Sequence, residues 1–199
     1  MILDKINIVD EIYIYRTTLD YKKNELIKDL LYNNKISKWN IEDQAQEPGI
    51  QRNILITTPE INNLQNQVFS IFKNNFSLQE KFYHLMWVFI SKNDNINTFY
   101  HTHTKNSDTF YKDIEWTYTF YVQMPDNLKD DDGCLYFKTE NDYEYKILPK
   151  EGDLIIFPAS LAHRPMTNNS SSQDRIVLAG VLRNIDINEI IIKENVSLI

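Results

Sequence analysis

The feature that most constrains the fold is a series of short apolar and aromatic runs in the second half of the chain. From Lys81 onward, segments of four to eight residues rich in β-branched and aromatic side chains alternate with polar turns. Many short strands separated by turns indicate a β-sandwich or barrel. The predicted strands are Tyr83–Ile90, Trp116–Val122, Cys134–Phe137, Tyr143–Leu148, Leu154–Phe157 and Ile176–Leu182.

The first 80 residues have a different pattern, in which helical spacing dominates. Ile12–Tyr15 is a predicted strand, and a loop is expected from Asn40 to Arg52. Thr58 is a suitable N-cap for a helix that begins at Pro59. Apolar residues recur every three or four positions in two stretches, so each predicted helix has one apolar face for packing on the outside of the barrel. These residues are Leu26, Ile27, Leu30 and Leu31 in the first helix, and Ile61, Leu64, Val68, Ile71 and Phe72 in the second.

The predicted fold class is α+β, with helices packed on a jelly-roll-like barrel in a single domain, 1–199. Within it we expect a support region of helices and strand, 1–80, a barrel core, 81–185, and a C-terminal extension, 186–199. The length of 199 residues suits one domain of this kind. No repeat, low-complexity tract or linker divides the chain.

Charge and cysteine usage exclude some classes of function. The net charge of −7 argues against nucleic acid as a partner, because phosphate binding needs a basic surface. The single cysteine, Cys134, lies in an apolar run and is expected to be a buried small hydrophobe in a reducing compartment. No signal peptide and no membrane-spanning run is visible, so a cytoplasmic protein without a membrane partner is expected. Abundant Asn, Ile, Lys and Tyr, which have AT-rich codons, favour a bacterial or phage gene.

Histidines are the residues most suggestive of chemistry. His101 and His103 form an H-x-H pair, and on an extended strand residues i and i+2 point to the same face. His163 follows another apolar strand, so three imidazoles from two strands could bind iron, zinc, copper or nickel. The alternative is a chance polar pair at a strand end and a core histidine with a hydrogen-bond partner. His84, inside an apolar run, is predicted to be such a core residue.

The segment around His163 carries a family resemblance. Glu151-Gly152-Asp153-Leu154-Ile155-Ile156-Phe157-Pro158 precedes His163, and Asp174-Arg175-Ile176-Val177-Leu178-Ala179-Gly180 follows after a turn. This string resembles the second half of the double-stranded β-helix in iron(II)/2-oxoglutarate oxygenases, in particular the prolyl 4-hydroxylase-like group of bacteria and phages. The resemblance covers roughly residues 83 to 183. It implies a jelly-roll or cupin-like double-stranded β-helix that binds Fe(II) and 2-oxoglutarate.

The resemblance also assigns residues to the site. It implies that His163 is the distal iron ligand and that Arg175 binds the far carboxylate of 2-oxoglutarate, with Tyr118 and Tyr121 as further candidates for cosubstrate contacts. A planar guanidinium suits a carboxylate because it donates two parallel hydrogen bonds. The alternative for Arg175 is a surface ion pair with Asp174. Arg164 and Arg183 are weaker candidates, and Tyr100 is a minor one.

One departure from the family pattern concerns the third iron ligand. The family has H-x-D where this chain has His101-Thr102-His103, so His103 stands in place of the carboxylate. Either the site is all-histidine, with His101, His103 and His163 as ligands, or a nearby carboxylate substitutes. Asp108 is the first such candidate, followed by Asp113 and Glu115. We favour His103, and three neutral imidazoles would shift metal preference toward zinc or nickel.

The leading functional hypothesis is an oxygenase that hydroxylates a carbon centre of a small-molecule or peptide substrate, with peptidyl proline as the candidate. The alternative is a non-redox, metal-binding cupin-like protein, either an isomerase or a binding module. A third reading is a structural protein that retains an inactive barrel. The missing aspartate favours the second hypothesis, and Arg175 at the expected place favours the first. The sequence leaves the substrate and the oligomeric state open.

Overall fold

A computed structural model describes residues 2–36, 50–91, 99–104, 114–166 and 171–185. These ranges contain two helices and ten strands. The elements are β1 (Asp4–Val9), β2 (Ile12–Thr18), α1 (Lys23–Ile36), β3 (Ile50–Asn53), α2 (Pro59–Asn75), β4 (Phe82–Ser91), β5 (Trp116–Gln123), β6 (Leu135–Lys138), β7 (Glu144–Ile147), β8 (Asp153–Pro158), β9 (Ala162–Pro165) and β10 (Arg175–Asn184).

The strands form two sheets that face each other, as expected for a jelly-roll. The larger sheet has the order β1-β2-β8-β5-β10-β4-β3, and the smaller has the order β7-β6-β9. Every pairing in both sheets is antiparallel. All six strands predicted in the second half form, with their ends shifted by no more than two residues. The first 80 residues also supply β1, β2 and β3 to the larger sheet.

The two helices cover one face of the larger sheet. Helix α2 begins at Pro59, and the Thr58 hydroxyl accepts a hydrogen bond from the Ile61 amide at 3.3 Å, as the capping signal predicts. Its apolar stripe, with Leu64 and Val68 at the centre, packs on buried residues of β4, β5 and β10. The prediction of helices packed outside the strands is confirmed.

Alternation along β5 separates the two faces of the larger sheet. Tyr118, Phe120 and Val122 belong to the core beneath the helices. Thr117, Thr119 and Tyr121 point the other way, into a cavity between the two sheets. Side chains of neighbouring strand residues project to opposite faces, so one strand contributes both to a dry core and to a cavity.

Gly180 on β10 lies directly opposite Tyr118 on β5. A Cβ atom at this position would come within 2.5 Å of the tyrosine side chain. The absence of a side chain at Gly180 therefore allows the Tyr118 ring to lie flat over the strand.

A tight turn at Gly152 precedes β8. Gly152 has φ +83°, a conformation that favours glycine, and its amide donates to the Tyr121 carbonyl at 2.8 Å. The buried Asp153 accepts a hydrogen bond from the Lys150 amide at 2.6 Å and forms an ion pair with Arg16. The turn thus fixes the start of β8 against β2 and β5.

Some predictions fall on residues that the structure does not describe. They concern Asp108, Asp113, nearly all of the predicted loop from Asn40 to Arg52, and the extension 186–199. Within the described ranges, neither helix is long and apolar enough to cross a membrane. Cys134 is buried, as expected, and its thiol pKa is raised by burial.

Candidate metal and carboxylate site

Three of the four histidines come together between the sheets. One ring nitrogen of each of His101, His103 and His163 lies within 4.8 Å of the others. The ring centroids are 4.3 Å apart for His101 and His163, 5.0 Å for His103 and His163, and 5.3 Å for His101 and His103. Ligands about 2.1 Å from a common ion would have nitrogens roughly 3 Å apart, so small side-chain rotations would complete the site.

The backbone holds the three histidines together in a way that differs from the prediction. His101 and His163 exchange two hydrogen bonds of 3.0 Å, and the His103 amide donates to the Ala159 carbonyl at 2.9 Å. His163 lies in β9, but His101 forms only an isolated bridge, and His103 lies in no strand. The rings converge because this short segment is hydrogen-bonded to β9 and to the turn before it. The expected regular H-x-H strand is absent.

Hydrogen bonds to two of the rings indicate which ring nitrogen carries the proton. Nδ1 of His163 lies 3.0 Å from the Leu161 carbonyl, and Nδ1 of His101 lies 3.3 Å from the Phe99 carbonyl. A carbonyl only accepts, so Nδ1 carries the proton and Nε2 keeps its lone pair for a metal. Burial, together with the neighbouring His101, lowers the pKa of His103 to about 3 and that of His163 well below its usual value. Neutral rings are the form that binds metal.

The structure brings no carboxylate to this cluster among the residues it describes. The cluster contains only the three histidines. Glu115 is exposed on the surface and does not line the cavity, while Asp108 and Asp113 lie outside the described residues. Among the described residues the candidate donor set is three imidazoles, which suits Fe(II), Zn(II), Ni(II) or Cu(II).

The histidines line one cavity together with Arg175. It encloses about 80 Å³, enough for several water molecules. Its walls come from both sheets and from the His101 segment. The lining residues are Trp87, Phe89, His101, His103, Thr117, Thr119, Tyr121, Leu135, His163, Pro165, Arg175, Val177 and Ala179.

Arg175 and the histidines occupy opposite ends of this cavity. On β10, Ala179 pairs with Trp87, whose ring lies 5.6 Å from that of His103. Arg175 begins the same strand four residues earlier, which corresponds to roughly 13 Å of extended chain. Its guanidinium reaches the Gly133 carbonyl at 3.4 Å and lies 6.0 Å from the Phe89 ring.

The Arg175 guanidinium is buried without a counter-charge in the described structure. The residue is 2% exposed, and its Nε has no hydrogen-bond partner. None of the ion pairs between described residues includes it. The alternative of a surface pair with Asp174 is wrong, because the side chain points into the cavity. An uncompensated buried charge is costly, so an anion is the natural complement at this end.

Two threonines that are absent from the residues predicted for the site also face the cavity. The hydroxyls of Thr117 and Thr119 are buried without a hydrogen-bond partner in the described structure. On β5, Thr119 pairs with Ala179 at the histidine end of the cavity and Thr117 lies two residues beyond it, while Tyr121 pairs with Val177, nearer to Arg175. The alternation of Thr and Tyr along this strand is the signal that identifies them. Burial raises the pKa of Tyr121, and the nearby Arg175 lowers it in part.

Tyr118 requires a correction, because it lies on the helix side of the sheet. Its hydroxyl is hydrogen-bonded to Nε2 of His84 at 2.8 Å, and it belongs to the core beneath the helices. It does not line the cavity and cannot contact a ligand there. His84 is thus a core residue with a partner, as predicted, and burial lowers its pKa to about 4.

The two weaker arginine candidates also lie away from the cavity. Arg164 follows the inward-facing His163, so it projects from the outer face of the smaller sheet. Its guanidinium lies 4.8 Å from the Tyr100 ring and 5.1 Å from the Tyr136 ring. Arg183 packs over Tyr83 near the other end of β10. Of the predicted cationic residues, Arg175 is the one that reaches the cavity.

Sequence comparison and structure comparison give different results. No protein-family profile matches the chain, and no curated protein sequence is significantly similar to it. Solved structures do match. A prolyl 4-hydroxylase from Pseudomonas putida has 13% identity and a TM-score of 0.57, with 87% of this chain and 93% of that chain covered.

Two further structures widen the range of chemistry associated with the fold. The viral collagen prolyl hydroxylase of Paramecium bursaria Chlorella virus-1, solved as a 2-oxoglutarate complex, has 14% identity and a TM-score of 0.56, with 86% and 96% coverage. SnoK, an α-ketoglutarate-dependent carbocyclase from nogalamycin biosynthesis, has 10% identity and a TM-score of 0.66, with 87% and 80% coverage. At such low identity these similarities establish the fold. The predicted jelly-roll is confirmed, and the chain has the fold of the iron(II)/2-oxoglutarate oxygenases.

Proposed function

We propose that this protein is an iron(II)- and 2-oxoglutarate-dependent oxygenase that hydroxylates a carbon centre. The observation that carries the proposal is the cavity with two unlike ends. Three imidazoles converge at one end, and a buried guanidinium without a counter-charge in the described structure lies at the other. A five-carbon dicarboxylate whose 2-oxo acid end chelates a metal needs both features in one enclosed space.

The residues fit the cosubstrate by the chemistry of their donors. Arg175 would bind the far carboxylate with its fork of parallel N–H donors. His101, His103 and His163 would each hold the ion through one ring nitrogen, which is Nε2 in His101 and His163. Bound there, Fe(II) with dioxygen and 2-oxoglutarate supplies the oxidising chemistry, and the protein contributes binding and orientation.

The rest of the cavity would orient the cosubstrate and exclude water. The hydroxyls of Thr117 and Thr119 have no partner among the described residues and can donate to oxygen atoms of a bound dicarboxylate. Leu135 and Val177 provide apolar walls that exclude water. With water excluded, the charge interaction at Arg175 becomes stronger than it would be at a surface.

The solved structures of similar fold guide the choice of substrates to test. They include a viral collagen prolyl hydroxylase, a prolyl hydroxylase from Trichoplax adhaerens in complex with a hypoxia inducible factor peptide fragment, and a carbocyclase from nogalamycin biosynthesis. Peptidyl proline is therefore the first substrate to test, followed by small molecules.

The donor set favours a second candidate function, a metal-binding protein without redox chemistry. Three neutral imidazoles leave the bound ion more positive than two imidazoles and a carboxylate would. Iron oxygenases of the two-histidine type rely on that carboxylate, whereas imidazole alone also suits zinc and nickel. This candidate leaves the buried Arg175 without an explanation, so we rank it second.

Succinate formation separates the two candidates. The protein loaded with Fe(II) should convert 2-oxoglutarate to succinate in air, and addition of a proline-rich peptide should accelerate it if peptidyl proline is the substrate. His103→Asp restores a carboxylate and should keep or raise the rate. Succinate at background level from wild type and from His103→Asp, with metal bound in both, would exclude the oxygenase.

A further inference from the structure

The segment that carries His101 and His103 has little regular structure to hold it. It is described from residue 99 to 104, and its strand-like pairing is a single bridge to His163. Metal ligands nevertheless have to lie within about 0.2 Å of their proper distances. Further contacts are needed to fix the position of His101.

Tyr100, immediately before His101, makes such a contact. Its hydroxyl donates a hydrogen bond of 2.6 Å to a carboxylate oxygen of Glu144 on β7. The bond joins the ligand segment to the edge strand of the smaller sheet.

Arg164 makes the second contact from the strand that carries His163. Its guanidinium lies between two rings, 4.8 Å from the centroid of Tyr100 and 5.1 Å from that of Tyr136. Tyr136 is the cross-strand partner of Arg164 on β6. Stacking of a planar guanidinium on tyrosine therefore joins the ligand segment to two neighbouring strands.

These contacts lie on the outer face of the smaller sheet, while the histidines lie on its inner face. Phe137 and His163 form the next cross-strand pair and face inward, with their neighbours Tyr136 and Arg164 facing outward. The outer contacts touch neither the cavity nor a ligand bound in it.

We propose that Tyr100, Glu144 and Arg164 form a clamp that positions His101 for metal binding. Tyr100 is the positioning residue, and Glu144 and Arg164 hold it against the smaller sheet. The inference rests on the proposed function, because it takes His101 to be a metal ligand. It explains why an arginine beside His163 points away from the cavity: it connects the segments that carry the two histidines.

The test compares the same substitution, Tyr→Phe, at the two tyrosines that pack on the Arg164 guanidinium. Tyr100→Phe and Glu144→Gln weaken the hydrogen bond of the clamp, and Tyr136→Phe is the matched control. Tyr136 packs on the same guanidinium, but its hydroxyl is hydrogen-bonded to Asp131 and not to the ligand segment or to Glu144. Calorimetry with Co(II) and Fe(II) should show three- to tenfold weaker binding for Tyr100→Phe, the value of one hydrogen bond, and less than twofold for Tyr136→Phe. The double variant Tyr100→Phe/Glu144→Gln should bind no more weakly than the weaker single variant, because both act on one bond.

Hydrogen exchange of the metal-free protein provides a second readout. The amides of His101 and His103 are hydrogen-bonded to β9 and to Ala159, and Tyr100→Phe should make both exchange faster while Tyr136→Phe leaves them unchanged.

Equal metal affinity and equal exchange in wild type and Tyr100→Phe would overturn the clamp alone. Equal losses in Tyr100→Phe and Tyr136→Phe would also overturn it, since the effect would then be general packing. A wild type that binds no metal would overturn the proposed function and the clamp with it.

Discussion

The two faces of the larger sheet differ in whether their buried polar groups have hydrogen-bond partners. On the helix side, the Tyr118 hydroxyl is bonded to His84 at 2.8 Å, and the Tyr21 hydroxyl donates to the Val122 carbonyl at 2.9 Å. On the cavity side, the Thr117 and Thr119 hydroxyls and the Nε of Arg175 have no partner in the described structure. Both sets lie on or beside the same strands, β5 and β10.

This difference separates a face whose buried polar groups are paired from a face whose unpaired groups we propose bind a ligand. Buried polar groups in folded proteins are nearly always hydrogen-bonded, and each unpaired one costs about 1–3 kcal/mol. The helix side follows that rule. The cavity side departs from it in one enclosed space that also contains three histidines, so its missing partners are best supplied by a bound molecule.

Substitution of one histidine on each face of the larger sheet should give the largest effect, a difference in metal affinity. His163→Gln should reduce metal affinity by roughly 100-fold or more, since loss of a ligand's hydrogen-bond partner alone costs about 10- to 100-fold. His84→Gln, on the helix side, should leave metal content unchanged. Elemental analysis of both purified variants measures this. Equal metal content in wild type and His163→Gln would remove the metal site from the account.

Overpacking on the helix side should have the next largest effect, on stability alone. In Gly180→Ala the new Cβ would lie 2.5 Å from Tyr118, which should lower the free energy of unfolding by about 1–3 kcal/mol. Tyr118→Leu in the same chain should restore part of the loss. Denaturant unfolding measures both, and metal affinity of the folded variant should not change. A loss of metal affinity without a loss of stability would show that the two faces are not separate.

Removal of one hydroxyl from each face of the larger sheet should give the smallest change in the free energy of unfolding. It is also the change that best distinguishes the two faces. Thr117→Val removes a hydroxyl that has no partner in the described structure, so the free energy of unfolding should stay within about 1 kcal/mol of wild type or rise. Thr17→Val is the control, because its hydroxyl donates to the Ile2 carbonyl at 2.8 Å and its loss should destabilise. Thr117→Val should also weaken 2-oxoglutarate binding severalfold. Destabilisation by Thr117→Val equal to that by Thr17→Val would mean that the cavity hydroxyl has a structural partner.

Most of the fold could be predicted because its signals are local. Six strands in the second half and the start of α2 at Pro59 follow from alternation, helical spacing and a capping residue. The pairing of β2 with β8 could not be predicted, because it joins residues more than 130 positions apart. That pairing depends on tertiary packing, on which short apolar runs give no information.

The residue types of the site could be predicted from the sequence, but the directions of their side chains could be predicted only in part. The string around His163 and Arg175 pointed to both residues, and the structure places them in one cavity. Tyr118 was assigned to the wrong face, because alternation says which residues share a face and not which face meets the cavity. The H-x-H segment was expected to be a strand, whereas long-range hydrogen bonds to His163 and Ala159 hold it.

Arg175 and the three histidines together should bind 2-oxoglutarate, and calorimetric titration tests this most directly. Metal-loaded Arg175→Ala should bind 2-oxoglutarate roughly 30-fold more weakly or worse, because loss of one partner of a desolvated charge pair costs about 2–5 kcal/mol. Arg175→Lys should be intermediate, since the charge remains and the fork is lost. Asp174→Ala, the adjacent surface control, should bind as wild type does, and metal affinity should be equal in all four proteins. Unchanged 2-oxoglutarate affinity in Arg175→Ala would contradict the account.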